Sequence, residues 1–143
     1  MLGTILALII SFEGFSSTAY WDNGWAIGYG HHGPEVTKNL VYTKEEAYEV
    51  LKHDVGFVFD CLRRNSNNCS GNCRIAISDF IHNMGCGSYS KSRLRKLISQ
   101  GRWEDASLEI QKWVYSKGRK LRGLVKRRAV EADYLRAMPS QLP

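Results

Sequence analysis

The chain has 143 residues, of which 43% are hydrophobic and 24% are charged, and it contains only three prolines. This composition excludes disordered and fibrous classes, and the length fits one domain that can bury about two-thirds of its unfolded surface. The net charge of +6 indicates an anionic partner, for which nucleic acid, acidic lipid and an anionic wall polymer all qualify.

The first predicted element is a helix over about residues 2–13. Its apolar run lacks a basic start and a small-residue cleavage site, Glu13 interrupts it, and it is too short to span a membrane. We therefore expect a core helix, no stable membrane insertion and no secretion route, with a trimmed signal-anchor as the alternative.

A hairpin is predicted over Thr18 to His32, where aromatic and small residues alternate between glycines. Asn23-Gly24 is the strongest short-range hairpin signal, since both positions tolerate positive φ, and it predicts a two-residue turn. Gly33-Pro34 closes this region.

The rest of the chain is predicted to be helical. Thr43 and Glu46 form a capping box that opens a long amphipathic helix ending near Arg64. A polar loop over 65–72 follows, and then helices at about 73–84, 90–100, 102–115 and 123–137, with breaks at 85–87 and Gly101 and a basic turn at Gly118. The predicted fold is α+β, mostly α, in a single domain over 1–143. A small hairpin-bearing lobe (about 1–60) is joined by the long helix to a helical lobe (about 61–143), and a cleft between them would suit an extended ligand.

The chain has four cysteines, of which three crowd the polar loop: they are Cys61, Cys69, Cys73 and Cys86. Disulfides and free thiols are equally compatible with their number and spacing. Zinc is a weaker alternative because there is no CxxC pair. We expect no metal site and no cofactor.

Two carboxylates, Glu13 and Asp22, stand nine positions apart on either side of the hairpin's first strand. Glu13 ends an apolar helix, where partial desolvation would raise its pKa, whereas Asp22 beside a solvated turn would stay ionised. Two carboxyl groups in different environments are what glycoside hydrolysis requires. Ordinary surface carboxylates are the alternative interpretation of the spacing.

Six segments in chain order resemble the phage-type lysozymes, the endolysins and related muramidases. Residues 11–15 resemble the catalytic-glutamate motif of that family, residues 19–22 its aspartate strand, and residues 27–31 the strand that closes its hairpin. Residues 79–87 resemble its helix-to-loop segment, and further similarity runs through 94–101 and 113–131.

The resemblance implies hydrolysis of the β-1,4 bond between N-acetylmuramic acid and N-acetylglucosamine in peptidoglycan, for host cell lysis. Glu13 would be the general acid, and Asp22 would hold or activate the attacking water. His31, Tyr29 and Ser92 would bind substrate, although Ser92 also fits a helix N-cap. The resemblance further implies a monomer without a cofactor that stays in the host cytoplasm until it is released to the wall.

One position departs from the family pattern. Ala26 stands where the family has a threonine that helps to orient the water, so the hydroxyl is missing. His31 or Tyr29 would be a substitute. Otherwise the sugar's own hydroxyl would attack, which gives a lytic transglycosylase, or the chain would be a peptidoglycan-binding module.

Two further groups have alternative interpretations. Trp21 and Trp25 would stack on sugars or pack across strands. The basic cluster lacks a nucleic-acid motif, so we expect no nucleic acid and interpret it as attraction to an anionic wall, with Arg119 or Arg122 pairing with Glu13. Its members are Lys117, Arg119, Lys120, Arg122, Lys126, Arg127 and Arg128.

Overall fold

The computed structural model describes residues 1–139, and over that range it contains seven helices and five short strands. The helices are α1 (Leu2–Glu13), α2 (Lys44–Asn65), α3 (Asn72–Met84), α4 (Cys86–Ser90), α5 (Arg93–Ser99), α6 (Trp103–Ile110) and α7 (Arg122–Arg136). The strands are β1 (Ser16–Trp21), β2 (Trp25–Gly28), β3 (His31–His32), β4 (Tyr115–Ser116) and β5 (Arg119–Lys120). The predicted mostly helical α+β class is confirmed.

The chain divides into two compact units, an N-terminal unit, Leu2–Phe57, and a C-terminal unit that begins at Val58. In the N-terminal unit α1 buries Ile5, Leu6 and Ile9, which lie on one helical face. Gly14 follows the last residue of the helix, and its φ of 66° is the left-handed conformation typical of a residue just past a helix. Gly14 N–H donates to the Ile10 carbonyl at 2.9 Å, which satisfies one of the last free acceptors.

The sheet of the N-terminal unit has three antiparallel strands in the order β1-β2-β3, so the predicted hairpin gains a third strand. The predicted two-residue turn is wrong. The last registered pair is Trp21 with Trp25, which leaves three residues in the connection. Asn23 and Gly24 do adopt positive φ, but the Asp22 N–H donates to the Gly24 carbonyl at 2.8 Å, so Asp22 belongs to the turn.

Helix α2 begins as predicted. The Thr43 hydroxyl accepts from the Glu46 N–H at 3.1 Å, and the Glu46 carboxylate accepts from the Thr43 N–H at 3.0 Å. This reciprocal pair satisfies two backbone donors that the first helical turn leaves free. None of the helices within residues 1–139 combines the length and the apolar character needed to cross a bilayer.

The core of the C-terminal unit lies among the end of α2 and helices α3 to α7, where Phe80 and Tyr89 are fully buried. Two predicted boundaries are wrong here. Gly85 alone separates α3 from the short helix α4, so the expected break at 85–87 is one residue long. The helix predicted over 102–115 ends at Ile110, and a second hairpin, β4–β5, follows in place of its last turn.

The β4–β5 hairpin turns through Lys117 and Gly118, which both have positive φ. Such a two-residue turn matches the twist of the strands it joins. Lys-Gly is a weaker signal for this geometry than Asn-Gly, and the hairpin is only two residues long on each side, so the sequence predicted the turn without its strands.

All four cysteines are paired, Cys61 with Cys86 and Cys69 with Cys73, which decides between the alternatives left open by their spacing. A crosslink stabilises mainly by restricting the unfolded chain, and the effect grows with the enclosed loop. The first bridge encloses a separation of 25 residues and the second a separation of four.

Replacing Cys61 and Cys86 together by alanine should lower the free energy of unfolding by about 3 kcal/mol, and the same change at Cys69 and Cys73 by about 2 kcal/mol. Urea denaturation of the two double variants measures both values. A larger loss from the short bridge would contradict the loop-entropy account.

Four charged side chains are buried together in the C-terminal unit. The Arg127 guanidinium donates from Nε and a terminal nitrogen to both oxygens of Asp79, at 2.8 and 2.9 Å. Arg128 Nε lies 3.2 Å from Glu131 Oε1, and both of those side chains are fully buried. The guanidinium of Arg128 also stacks over the Phe80 ring, 4.9 Å from its centre.

The two acids of this cluster differ in how readily they ionise. Burial opposes ionisation of Asp79, yet hydrogen bonds from Glu131 and Arg127 hold its pKa below the usual value. Burial, followed by the hydrogen bond to Asp79, raises the pKa of Glu131 well above its usual value. Glu131 therefore holds a proton more readily than Asp79 does.

Candidate active site

Glu13 is the last residue of α1, and its carboxyl group lies against the backbone of Gly30. A Cβ at Gly30 would lie only 2.8 Å from the Glu13 carboxyl carbon, closer than side-chain atoms approach one another. Gly30 also has a φ of 79°. Glycine at this position therefore leaves the space that the Glu13 side chain occupies.

Asp22 lies at the tip of the first hairpin, and its side chain is 64% exposed. The negative charges of both predicted catalytic carboxylates influence the pKa of one phenol, that of Tyr20. Burial raises the pKa of Tyr20, and the negative charges of Glu13 and Asp22 raise it further. Glu13 and Asp22 are thus within electrostatic reach of the same hydroxyl, although they come from different elements.

One face of the three-stranded sheet is defined by the register of its strands. Ala26 in the central strand pairs with Tyr20 on one side and with His32 on the other. Directly paired residues project to the same face, so Tyr20, Ala26 and His32 share one face of the sheet. Ala26 is fully buried, and His32 Nε2 lies 4.0 Å from Asp22 Oδ2.

A concave pocket of about 520 Å³ lies beside this face, within the N-terminal unit. His32 and Pro34 form part of its wall on the β3 side, and helix α2 supplies most of the remainder. Pockets with aromatic walls and a few polar groups are the usual form of ligand sites. The pocket is lined by His31, His32, Gly33, Pro34, Glu35, Tyr42, Glu49, Val50, His53, Asp54 and Phe57.

His31 uses both ring nitrogens in contacts with carboxylates. Nδ1 lies 2.7 Å from Asp54 Oδ2, and Nε2 lies 2.6 Å from Glu35 Oε1. The hydrogen bond to Asp54 is the main reason that the pKa of His31 rises to about 9. At neutral pH the ring is a cation that donates to both acids and ties β3 to α2, so it offers no free acceptor to a water.

The stability of the N-terminal unit should depend on pH through His31. Its folded pKa is about 9 and lies above the unfolded value of about 6.5, so the stabilisation is complete below pH 6.5 and is lost as the pH rises through 9. We expect a loss of about 2 kcal/mol between pH 6 and pH 10, relative to His31→Gln. Urea denaturation of both proteins across this range measures the difference. Parallel curves would contradict the assignment.

The other predicted substrate-binding residues are placed as follows. Tyr29 is half-buried and its ring packs against Phe15, with centres 5.6 Å apart. Ser92 belongs to the C-terminal unit and is the N-cap of α5, where its hydroxyl accepts from Arg95 N–H at 3.0 Å. The expected N-cap of Ser92 is confirmed, while substrate contacts of His31, Tyr29 and Ser92 stay predictions, as does the pairing of Glu13 with Arg119 or Arg122.

Two residues of this face were not singled out as site residues from the sequence, Tyr20 and His32. Pairing along β1 places Tyr20 on the same face as Ala26. The register of β3 against β2 decides that His32 joins them, and no sequence pattern fixes that register.

Within residues 1–139 no group of three or more His, Cys, Asp or Glu side chains is arranged to hold a metal ion.

Comparison with known proteins agrees with this architecture. The family model for phage lysozyme matches residues 10–131, and the chain belongs to that family. An endolysin of Bacillus phage PZA is 35% identical over 129 residues, which cover 87% of this chain and 50% of the relative. An endolysin of Acyrthosiphon pisum secondary endosymbiont phage 1 is 34% identical over 137 residues, covering 88% of this chain and 90% of the relative.

A solved structure, the muramidase domain of SpmX from Asticaccaulis excentricus, superposes with a TM-score of 0.83 at 25% identity, covering 94% of this chain and 95% of that domain. The lysozyme-like fold is therefore confirmed. The chain spans about half the length of the two Bacillus phage endolysins that it matches, so the activity of those whole proteins does not transfer directly.

Proposed function

We propose that this chain hydrolyses the β-1,4 bond between N-acetylmuramic acid and N-acetylglucosamine in bacterial peptidoglycan. The proposal is supported by the membership of the chain in the phage lysozyme family and by the effect of both Glu13 and Asp22 on the pKa of one side chain, Tyr20. A phage would use such an activity for host cell lysis once the protein reaches the wall.

The proposed roles follow from the position of each carboxyl group. Glu13, held at the end of α1 against Gly30, donates a proton to the leaving glycosidic oxygen. Asp22, exposed at the hairpin tip, supports the positive charge at the sugar carbon and accepts a proton from the attacking water. The water adds to the face opposite the leaving group, so the product anomer is inverted.

A second function is favoured by one specific residue. Ala26 is fully buried and has no hydroxyl, so it cannot orient a water. Without a positioned water, the muramic 6-hydroxyl would attack the same carbon, and a lytic transglycosylase would result.

Mass spectrometry of digested, purified peptidoglycan distinguishes these activities. Hydrolysis should release fragments with reducing muramic ends, whereas transglycosylation releases anhydro ends. Intact glycan strands that retain bound protein would overturn both and leave a wall-binding module.

The basic surface of β5 and the start of α7 should make clearing of whole cells weaken with salt, because exposed charges are screened.

A further inference from the structure

We infer that His32 is a positioning residue that holds the attacking water together with Asp22, from the strand next to Ala26. This inference rests on the proposed hydrolysis and adds to it a residue outside the carboxylate pair. It is carried by the register of the three-stranded sheet and by one distance.

The register brings the imidazole of His32 to the position that a hydroxyl at residue 26 would serve. His32 is the direct partner of Ala26, so the two side chains project to the same face. The ring also lies beside the turn, since a Cβ at Gly24 would be 3.8 Å from His32 Nδ1. The imidazole thus lies next to both the turn and the Asp22 carboxylate.

The separation of His32 and Asp22 suits a bridging water. Nε2 and Oδ2 are 4.0 Å apart, which is longer than a direct hydrogen bond. One water at about 2.8 Å from each atom spans this gap. Polar groups at such a distance commonly interact through a shared water.

The neighbouring histidine does not offer the same chemistry. Both ring nitrogens of His31 contact carboxylates, and only 14% of its side chain is exposed. The His32 side chain is 48% exposed, and its Nε2 atom faces the Asp22 carboxylate. A neutral imidazole with its proton on Nδ1 accepts a hydrogen bond at Nε2, which an alanine methyl cannot do.

The step is balanced as follows. The water donates one hydrogen to Asp22 Oδ2 and the other to His32 Nε2, so a lone pair of its oxygen points to the sugar carbon. As that oxygen bonds to the carbon, the glycosidic carbon–oxygen bond breaks and Glu13 protonates the leaving oxygen. The proton directed at Asp22 transfers to it, and solvent exchange restores both carboxyl groups. His32 orients the water and keeps its own protonation state.

The test measures kcat, KM and product ends on soluble, uncrosslinked glycan strands. We expect His32→Ala to lower kcat by roughly 10- to 100-fold, with little change in KM, because the water loses its orientation while sugar binding does not. The fraction of anhydro ends should rise, since the muramic hydroxyl then competes with water. His32→Gln, which keeps a hydrogen-bonding group, should retain more of the hydrolysis.

Two controls separate positioning from loss of fold. Asn39→Ala removes an exposed polar side chain of the N-terminal unit that does not line the pocket, and it should leave kcat at the parental value. Ala26→Ser in the His32→Ala background returns a hydroxyl to the same face and should recover reducing ends. Thermal unfolding followed by circular dichroism shows whether each variant folds.

Unchanged kcat and unchanged product ends in His32→Ala overturn the inference while the hydrolase stands. A parent protein that releases no reducing ends overturns the proposed hydrolysis, and the inference with it. Loss of activity in His32→Ala with unaltered product ratios and no recovery by the serine also overturns it, because that pattern indicates a general structural effect.

Discussion

Replacement of Glu13 by glutamine should lower the rate of glycan cleavage by roughly 10³-fold while the protein stays folded. The amide has nearly the shape of the carboxylic acid but cannot donate a proton to the leaving oxygen. Glutamine also has nearly the size of the side chain that lies beside Gly30. The release of reducing ends from purified peptidoglycan measures the rate.

The matched control is Glu104→Gln, because Glu104 is an exposed acid in the first turn of α6. This variant should clear the wall at the parental rate. Equal rates for Glu13→Gln and the parent protein would exclude Glu13 as the general acid, and would direct attention to other acids of the N-terminal unit.

Replacement of Asp79 by asparagine should lower the free energy of unfolding by about 3–5 kcal/mol, which corresponds to a fall of about 10 °C in the melting temperature. Asp79 is fully buried and accepts two hydrogen bonds from the buried guanidinium of Arg127. The substitution leaves that cation without its counter-charge in a site that water does not reach. Thermal and urea denaturation provide the measurement.

Glu131→Gln is the matched comparison in the same buried cluster. Because burial and Asp79 raise the pKa of Glu131, the native state favours the neutral form of this side chain, which a glutamine amide imitates. The cost at neutral pH should therefore be below about 1 kcal/mol. A loss as large as that of Asp79→Asn would contradict the protonated state of Glu131.

The pH dependence gives the sign of each contribution. A raised folded pKa means that the stability contributed by Glu131 is complete below the unfolded pKa and declines as the pH rises above it, a decline that Glu131→Gln removes. The lowered pKa of Asp79 acts in the opposite sense, since its stabilisation is present above the unfolded pKa and is lost as the pH falls through the folded value.

The helices that carry strong local signals were predictable. The apolar run of α1 and the capping box of α2 encode their structures within a few neighbouring residues, and both agree with the structure. The end of α6 and the β4–β5 hairpin were not predictable, since the residues concerned tolerate either state and the surrounding packing decides.

The candidate site follows the same division. Glu13 and Asp22 were found from the sequence because each lies beside a strong local signal, a helix end and a turn. The part played by His32 depends on the register of strands and on a three-residue turn, which involve pairing between separate segments. Likewise, the double engagement of His31 required knowledge of where Asp54 and Glu35 lie.

The contact between Gly30 and the Glu13 carboxyl has a consequence for the evolution of this chain. Gly30 has no side chain, and this leaves the space that the Glu13 carboxyl occupies. Substitutions at position 30 should therefore be selected against, although Gly30 takes no part in the reaction. In a saturation mutagenesis screen for lytic activity, position 30 should tolerate as few substitutions as position 13. Laboratory evolution of new specificities will have to proceed around it.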